Sequence, residues 1–319
     1  MQFDPLEIAM GAKSESLSLK ERWISFILDL QNIICREIES EDGGALFVTD
    51  RWERAGGGGG DTRILENGNL VEKGGVNTSV VYGEVTALMR SQLKMEGSHW
   101  FACGLSLVLH PRNPYVPTVH ANWRYFELYD EAGKMVDHWF GGGSDLTPCY
   151  LFEEDARHFH QTFKNVMDPF GKNLYAGYKR NCDEYFTNTH RGNEMRGIGG
   201  VFYDFLKPSD DQHAEDLFRF QQANGQAFVQ AYLPIARKRK ETPYGQREQE
   251  WQEIRRGRYV EFNLIHDRGT LFGLKTQGRT ESILMSLPPR ARWVYNYQPE
   301  PGTPEANLLD ACLNPRNWC

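Results

Sequence analysis

Three prolines spaced three residues apart, Pro111, Pro114 and Pro117, lie between two histidines in HPRNPYVPTVHANWR, residues 110–124. Each residue before a proline is driven to an extended backbone, so 111–119 reads as a stiff connection that cannot be helix. Its flanks read as strands. In GLSLVLHP, Leu105, Leu107 and Leu109 alternate with Ser106, Val108 and His110, the period-two pattern of a strand with one buried face. In the following strand His120, Asn122 and Arg124 share a face. If the two strands are antiparallel neighbours, Ser106, His110, His120, Asn122 and Arg124 line one patch, with the stiff loop at its mouth. An ordinary strand connection with surface polar groups is the plainer reading, and the PxxP spacing also fits a ligand for a peptide-binding module. Five aligned polar side chains favour a binding site, and Arg124 points to a carboxylate or phosphate in the ligand.

Around this stretch the elements follow one another without strict strand–helix alternation. Ser18 and Glu21 form a capping-box pattern ahead of Trp23, Phe26, Ile27, Leu30 and Ile34 at helical spacing, and Gly43-Gly44 stops that helix. Residues 45–54 read as a strand, and Asn67-Gly68 as a hairpin turn between the strands after it. Further strands are expected at 102–110, 120–130, 200–205, 258–267 and 292–298. Helices are expected at 153–168, 172–188, 214–240, 244–256 and 303–313. The five glycines 56–60 read as a mobile loop, or as a flap over a ligand. WFGGGSDLTP, 139–148, lacks the lysine of a phosphate loop and reads as a turn. The expected class is α+β, a single domain over 1–319 with 1–18 as an N-terminal extension, built on a large, mostly antiparallel sheet.

The formal charge of −7 argues against a nucleic-acid partner. The basic run RKRK, 237–240, falls at a helix end, where the dipole favours it. Six scattered cysteines form no C-x-x-C pair and suit a reducing compartment. No apolar run approaches the ~20 residues of a membrane span, and no leader pattern opens the chain, so the expected location is cytoplasmic. His160 lies on the apolar stripe of its helix, where a satisfied core histidine is the plainer reading than a ligand. His213-Ala-Glu215 is a weak facial-triad pattern.

The strings HPRNPYVPTVHANWRYFE, WFGGGSDLTPCYLFEEDARHFH, CDEYF, RGIGGVFYD, RGRYVEFNLIHDRGTLFGL and GRTESILMSLPP closely resemble the oxygen-dependent coproporphyrinogen III oxidases, from about residue 19 to the C-terminus. The resemblance implies a large antiparallel sheet flanked by helices on both sides. It implies oxidative decarboxylation of the ring A and B propionates of coproporphyrinogen III to vinyl groups, giving protoporphyrinogen IX. O2 is then the co-substrate, with no organic cofactor, and a divalent metal is compatible but not required.

The resemblance further implies His120 as proton donor and Asp204 as the group that engages pyrrole N–H. Ser106, Asn122, Trp123, Arg124, Gln277, Gly278 and Arg279 become substrate-binding positions. His110, His120, His160 and His190 match histidines considered as metal ligands. A homodimer is implied through 259–294, including Tyr259, Val260, Glu261, Phe262, Asn263 and Leu264. Two positions depart from the family pattern: Phe205 stands where a second aspartate is frequent, and His266 where an aromatic is frequent. Two rival readings are a histidine-ligated metal-dependent oxygenase and a non-catalytic tetrapyrrole carrier.

Overall fold

The computed structural model describes residues 17–93, 96–275 and 278–319; most of the expected N-terminal extension lies outside them. Helix α1, Leu19–Asp42, starts at the capping box of Ser18 and Glu21 and ends on Gly43 at φ 64°. Its inner stripe of Trp23, Ile27, Leu30, Ile34 and Ile38 is fully buried or nearly so. The end of α1 is tied to a hairpin by one carboxylate. Asp42 accepts backbone N–H bonds from Gly44, Ala45, Asn69, Leu70 and Val71 at 2.8–3.1 Å.

That hairpin joins β2, Gly58–Glu66, to β3, Val71–Glu84, and turns at Asn67, whose φ is 59°. The edge strand β1, Val48–Glu53, precedes it, and β4, His99–Pro111, β5, Thr118–Tyr129, and β6, Met135–Thr147, follow. The two-residue strands β7, Thr187–Asn188, and β8, Glu194–Met195, pair with each other, and β9, Gly200–Leu206, closes the large sheet. Among the described residues the sheet has seven strands in the order β1-β2-β3-β4-β5-β6-β9, all neighbours antiparallel.

Helices cover both faces. The core face carries α1 and α5, Asp211–Arg239, with α3, Glu153–Met167, packed on α5. Trp23 of α1 donates its indole N–H to the Cys103 carbonyl at 3.1 Å. Toward the other face lie α2, Ala87–Leu93, α6, Gln246–Ile265, α7, Arg268–Lys275, and α8, Thr280–Leu284, while α4, Leu174–Tyr185, wraps the β9 edge, with Tyr178 against Tyr203 and Tyr185 stacked on Phe202. Helix α9, Pro304–Leu313, packs near β8.

Four expectations are corrected. Residues 258–267 are not a strand: RYVEFNLI is the second half of α6, because Tyr259 and Phe262 are buried at helical spacing. Residues 292–298 are irregular, with Tyr295 fully exposed. Gly58–Gly60 belong to β2, paired with Ser79–Val81, and only the start of the glycine run is turn. Gly141–Gly143 lie inside β6 and are paired on both sides. The proline loop also differs from expectation, since it is buried and held by α5 and α6. Asn113 donates to the Lys240 and Thr242 carbonyls at 2.9 Å, and Tyr232 and Gln252 bond to the carbonyls of Pro117 and Pro111.

Asp42 is the single acceptor for five buried or half-buried N–H groups, and each orphaned group costs ~1–3 kcal/mol. These bonds offset the tendency of burial to raise its carboxyl and leave it below the ordinary value. A depressed carboxyl stabilises the fold above its unfolded pKa of about 3.9 and loses that contribution as pH falls through the folded value. Asp42→Ala is therefore expected to lower unfolding free energy by roughly 2–4 kcal/mol at neutral pH, with a smaller difference in acid. Urea denaturation at the two pH values measures both.

Candidate active site

Cross-strand register assembles the site from glycines and small polar residues. One row across the sheet runs Asp50, Thr62, Asn77, Ser106, Asn122, Gly143 and Phe202. The next runs Trp52, Gly60, Ser79, Gly104, Arg124 and Gly141. Residues directly opposite share a face, so both rows lie on the face away from α1 and α5. The second row has no Cβ at three of its positions. A Cβ on Gly141 would stand 2.8 Å from an Asp204 oxygen and 3.1 Å from an Arg124 nitrogen. The glycine is thus what lets these two charged groups meet over β6.

The margins of this floor are built up. At one end Phe202 packs with Phe186 and with Phe262 of α6. At the other, Val85 and Met89 of the α2 region cover Leu128, beside Trp100 and Phe126. Over β2 and β3, α8 brings Ser282 to Thr62 and Asn77, and Met285 fills the space above Gly75.

The strand face places Ser106, His110, His120, Asn122 and Arg124 on one side, as the alternation predicts, but does not leave all of them open. Ser106 is exposed. His110 is sealed under the Tyr259 ring, donates to the Ser286 carbonyl at 2.9 Å and is pushed well below its ordinary pKa by burial. His120 donates from Nδ1 to Asp145 at 2.7 Å, and its Nε2 faces the Asn122 amide at 3.4 Å. Asp145 also receives Arg196 at 2.7 Å. Burial would raise the Asp145 carboxyl, but Arg196 and His120 together hold it below the ordinary range. The Nδ1 bond fixes one tautomer and leaves Nε2 to exchange a proton with a ligand. Asp145 and Arg196 were missed from sequence because Asp145 sits in the glycine stretch read as a turn; its strand parity with Gly141 and Gly143 was the available signal.

Asp204 stands between two arginines, 3.5 Å from Arg124 and 3.8 Å from Arg268 of α7. It also accepts the Phe205 N–H at 3.1 Å. The chain thus supplies Asp204 with one hydrogen bond and two flanking guanidinium groups, of which Arg268 was not foreseen. Among the described residues, Arg124 Nε and the side-chain oxygens of Asn77 and Asn122 are buried with no hydrogen-bond partner, and Arg124 Nη2 has only its ion pair to Asp204. Arg279 bonds to Asp50 and Ser282 at the β1 margin, four strand spacings or about 19 Å from β5. Gly278 N–H caps the α7 carbonyl of Gly273. Gln277 lies outside the described residues. The Trp123 side chain is buried on the core face against Phe228 and is not brought to the site.

The four candidate metal ligands do not come together. His160 is fully buried, bonded to Tyr175 and the Ile198 carbonyl, with its pKa lowered to about 3 by burial. His190 pairs with His266 at 2.7 Å and Glu261 at 2.9 Å. Among the described residues no cluster of three or more His, Cys, Asp or Glu could hold a metal ion. Of the proposed interface residues, Tyr259, Glu261, Phe262 and Asn263 are buried within the chain, Val260 is half-buried, and Leu264 is 41% exposed. That segment is helical and offers no strand edge.

Removing one partner of a buried ion pair strands the other, at a cost of about 3–5 kcal/mol. Asp145→Asn leaves Arg196 uncompensated and is expected to lower stability by that order, measured by chemical denaturation. Arg196→Met in the same background should recover part of the loss.

A broad ligand with anionic arms suits this glycine floor, its amide-oxygen acceptors and its arginine margins. The family model for coproporphyrinogen III oxidase matches residues 22–318, nearly the whole chain, and the chain belongs to the coproporphyrinogen III oxidase family.

Proposed function

We propose that the chain is the oxygen-dependent form of this oxidase, acting on coproporphyrinogen III at the β2–β6 floor. One observation carries the assignment of the site. Among the described residues, Arg124 and the amides of Asn77 and Asn122 hold buried polar atoms without hydrogen-bond partners, on a surface cleared of side chains. Buried polar groups are nearly always bonded. Unpaired guanidinium N–H matches a propionate, and unpaired amide oxygens match pyrrole N–H.

The chain's residues then take these roles. Arg124 and Arg268 hold a carboxylate beside Asp204, and Arg279 marks the opposite margin. Asp204 orients the macrocycle and accepts a pyrrole proton, which makes the electron-rich ring reactive toward O2. His120 Nε2 moves a proton at the reacting side chain, its tautomer set by Asp145. Each propionate loses CO2 and one hydrogen as a proton, and the two electrons released pass to O2, leaving a vinyl group. The substrate supplies the electrons, so no step is routed through a metal or organic cofactor.

Turnover of coproporphyrinogen III in air and under anaerobic conditions, before and after chelation, tests the reading. Protoporphyrinogen IX should form only with O2 and should survive chelation. Substrate bound but unchanged would make the protein a carrier; activity restored to the metal-free protein by one divalent ion would make it a metal-dependent oxygenase. Asp204→Ala should lose turnover by ~10²- to 10⁴-fold, the contribution of a positioned base, while thermal stability holds. Normal turnover would remove Asp204 from the chemistry.

A further inference from the structure

Alternation along GVFYDFL puts Phe205 on the core face with Val201 and Tyr203. The structure puts it on the other. Opposite β9, Gly142 pairs with Tyr203 but Phe140 pairs with Leu206, so Asp204 and Phe205 together face Gly141. This is a bulge, and Phe205 takes φ 53° within it. A bulky side chain at positive φ is an outlier, whereas glycine, asparagine and aspartate visit that region readily.

The ring gains little from the chain in return. Phe205 is 57% exposed, with Trp139 its one aromatic neighbour among the described residues, at 4.9 Å between centroids. Trp139 in turn stacks on Phe126 at 5.2 Å and 20°. The three rings make a line beside Arg124, Gly141 and Asp204. A strained backbone that displays a half-exposed ring next to unpaired polar groups is explained by something the ring touches outside the chain.

We propose that Phe205 is a positioning residue: its ring ends an aromatic ledge that receives the apolar rim of the macrocycle and sets it over Asp204 and Arg124. This rests on the site being a tetrapyrrole site. The ledge suits a rim of methyl or vinyl groups and disfavours a carboxylate arm at that edge, because an aromatic face offers a carboxylate neither charge nor donor. The ring binds substrate and transition state alike, so its loss raises KM and spares kcat.

Phe205→Asn and Phe205→Tyr, compared with the unaltered chain, test this by Tm and steady-state kinetics. Asparagine fits the left-handed backbone, so its Tm should equal or exceed that of the parent. Its KM for coproporphyrinogen III should rise about two- to tenfold, the worth of one aromatic contact, with kcat unchanged. Tyrosine should keep the parent KM. An unchanged KM in Phe205→Asn overturns the proposal, and so does a variant that fails to fold, since the ring would then serve the fold. Failure of the underlying reading shows separately, as absence of turnover in the unaltered chain.

Discussion

The carboxylate of Asp145 is buried between a guanidinium and an imidazole, and the parts of the site are arranged around it. Arg196 reaches it with one nitrogen and Asn263 of α6 with another, at 2.7 and 2.9 Å. The flat guanidinium lies 4.3–5.0 Å from the ring centres of Phe186, Tyr259 and Phe262. One ion pair thus joins β6, the approach to β9, the end of α4 and the length of α6. Taking two charges out of water is costly unless further contacts offset it; here the rings and Asn263 do so in part, with Arg196 Nε left without a hydrogen bond. Helix α6 makes two more such anchors, from Arg255 to Glu194 and from Arg256 to Glu72. The helix that seals His110 is therefore held by buried charge at three points, and the patch stays open only beyond its reach, at Ser106 and Arg124.

Much of the fold was legible because local chemistry and tertiary structure agree. Ser18, Glu21 and Gly43 bound α1, Asn67-Gly68 turns the hairpin, and the leucines of β4 face the core. The reading failed where that agreement breaks. Gly58–Gly60 and Gly141–Gly143 carry no side chain to alternate, so periodicity is silent over them and glycine's turn preference takes its place. Their reason for being in strands is tertiary: a ligand or another chain segment occupies the space a Cβ would fill. RYVEFNLI failed differently. Val260, Phe262 and Leu264 alternate with polar residues over too few positions to separate a strand from a helix, and the deciding contacts, Arg255 and Arg256 with distant carboxylates, are invisible locally.

The site was legible to the same degree and for the same reasons. His120, Asn122 and Arg124 follow from period two alone. Asp145 required knowing that the glycines before it are strand. Arg268 required the path of α7, and Phe205 changed face through a bulge that no pattern announces. His110 shows the reverse case, since it looked available in sequence and is consumed by hydrogen bonds inside the core, whereas His160 is the bonded core histidine that its apolar stripe suggested. A histidine's chemistry is set by what already holds its two nitrogens.

Charge counting distinguishes the two margins of the floor. At the β5 side, Arg124 and Arg268 share the single carboxylate of Asp204, at separations of 3.5 and 3.8 Å that are long for an ion pair. One positive unit is left over, and Arg124 has unpaired nitrogens to direct it. At the β1 side Arg279 is matched one to one by Asp50. An incoming propionate can therefore be neutralised beside Asp204 without displacing any protein carboxylate, whereas at Arg279 it must compete with Asp50. On the proposed reading, the two arms of a substrate spanning the floor would meet unequal affinities. On that reading, the arm held between Arg124 and Arg268 meets no competing carboxylate, and the aromatic ledge beyond it receives the apolar rim, so the two together set the register of the macrocycle over His120.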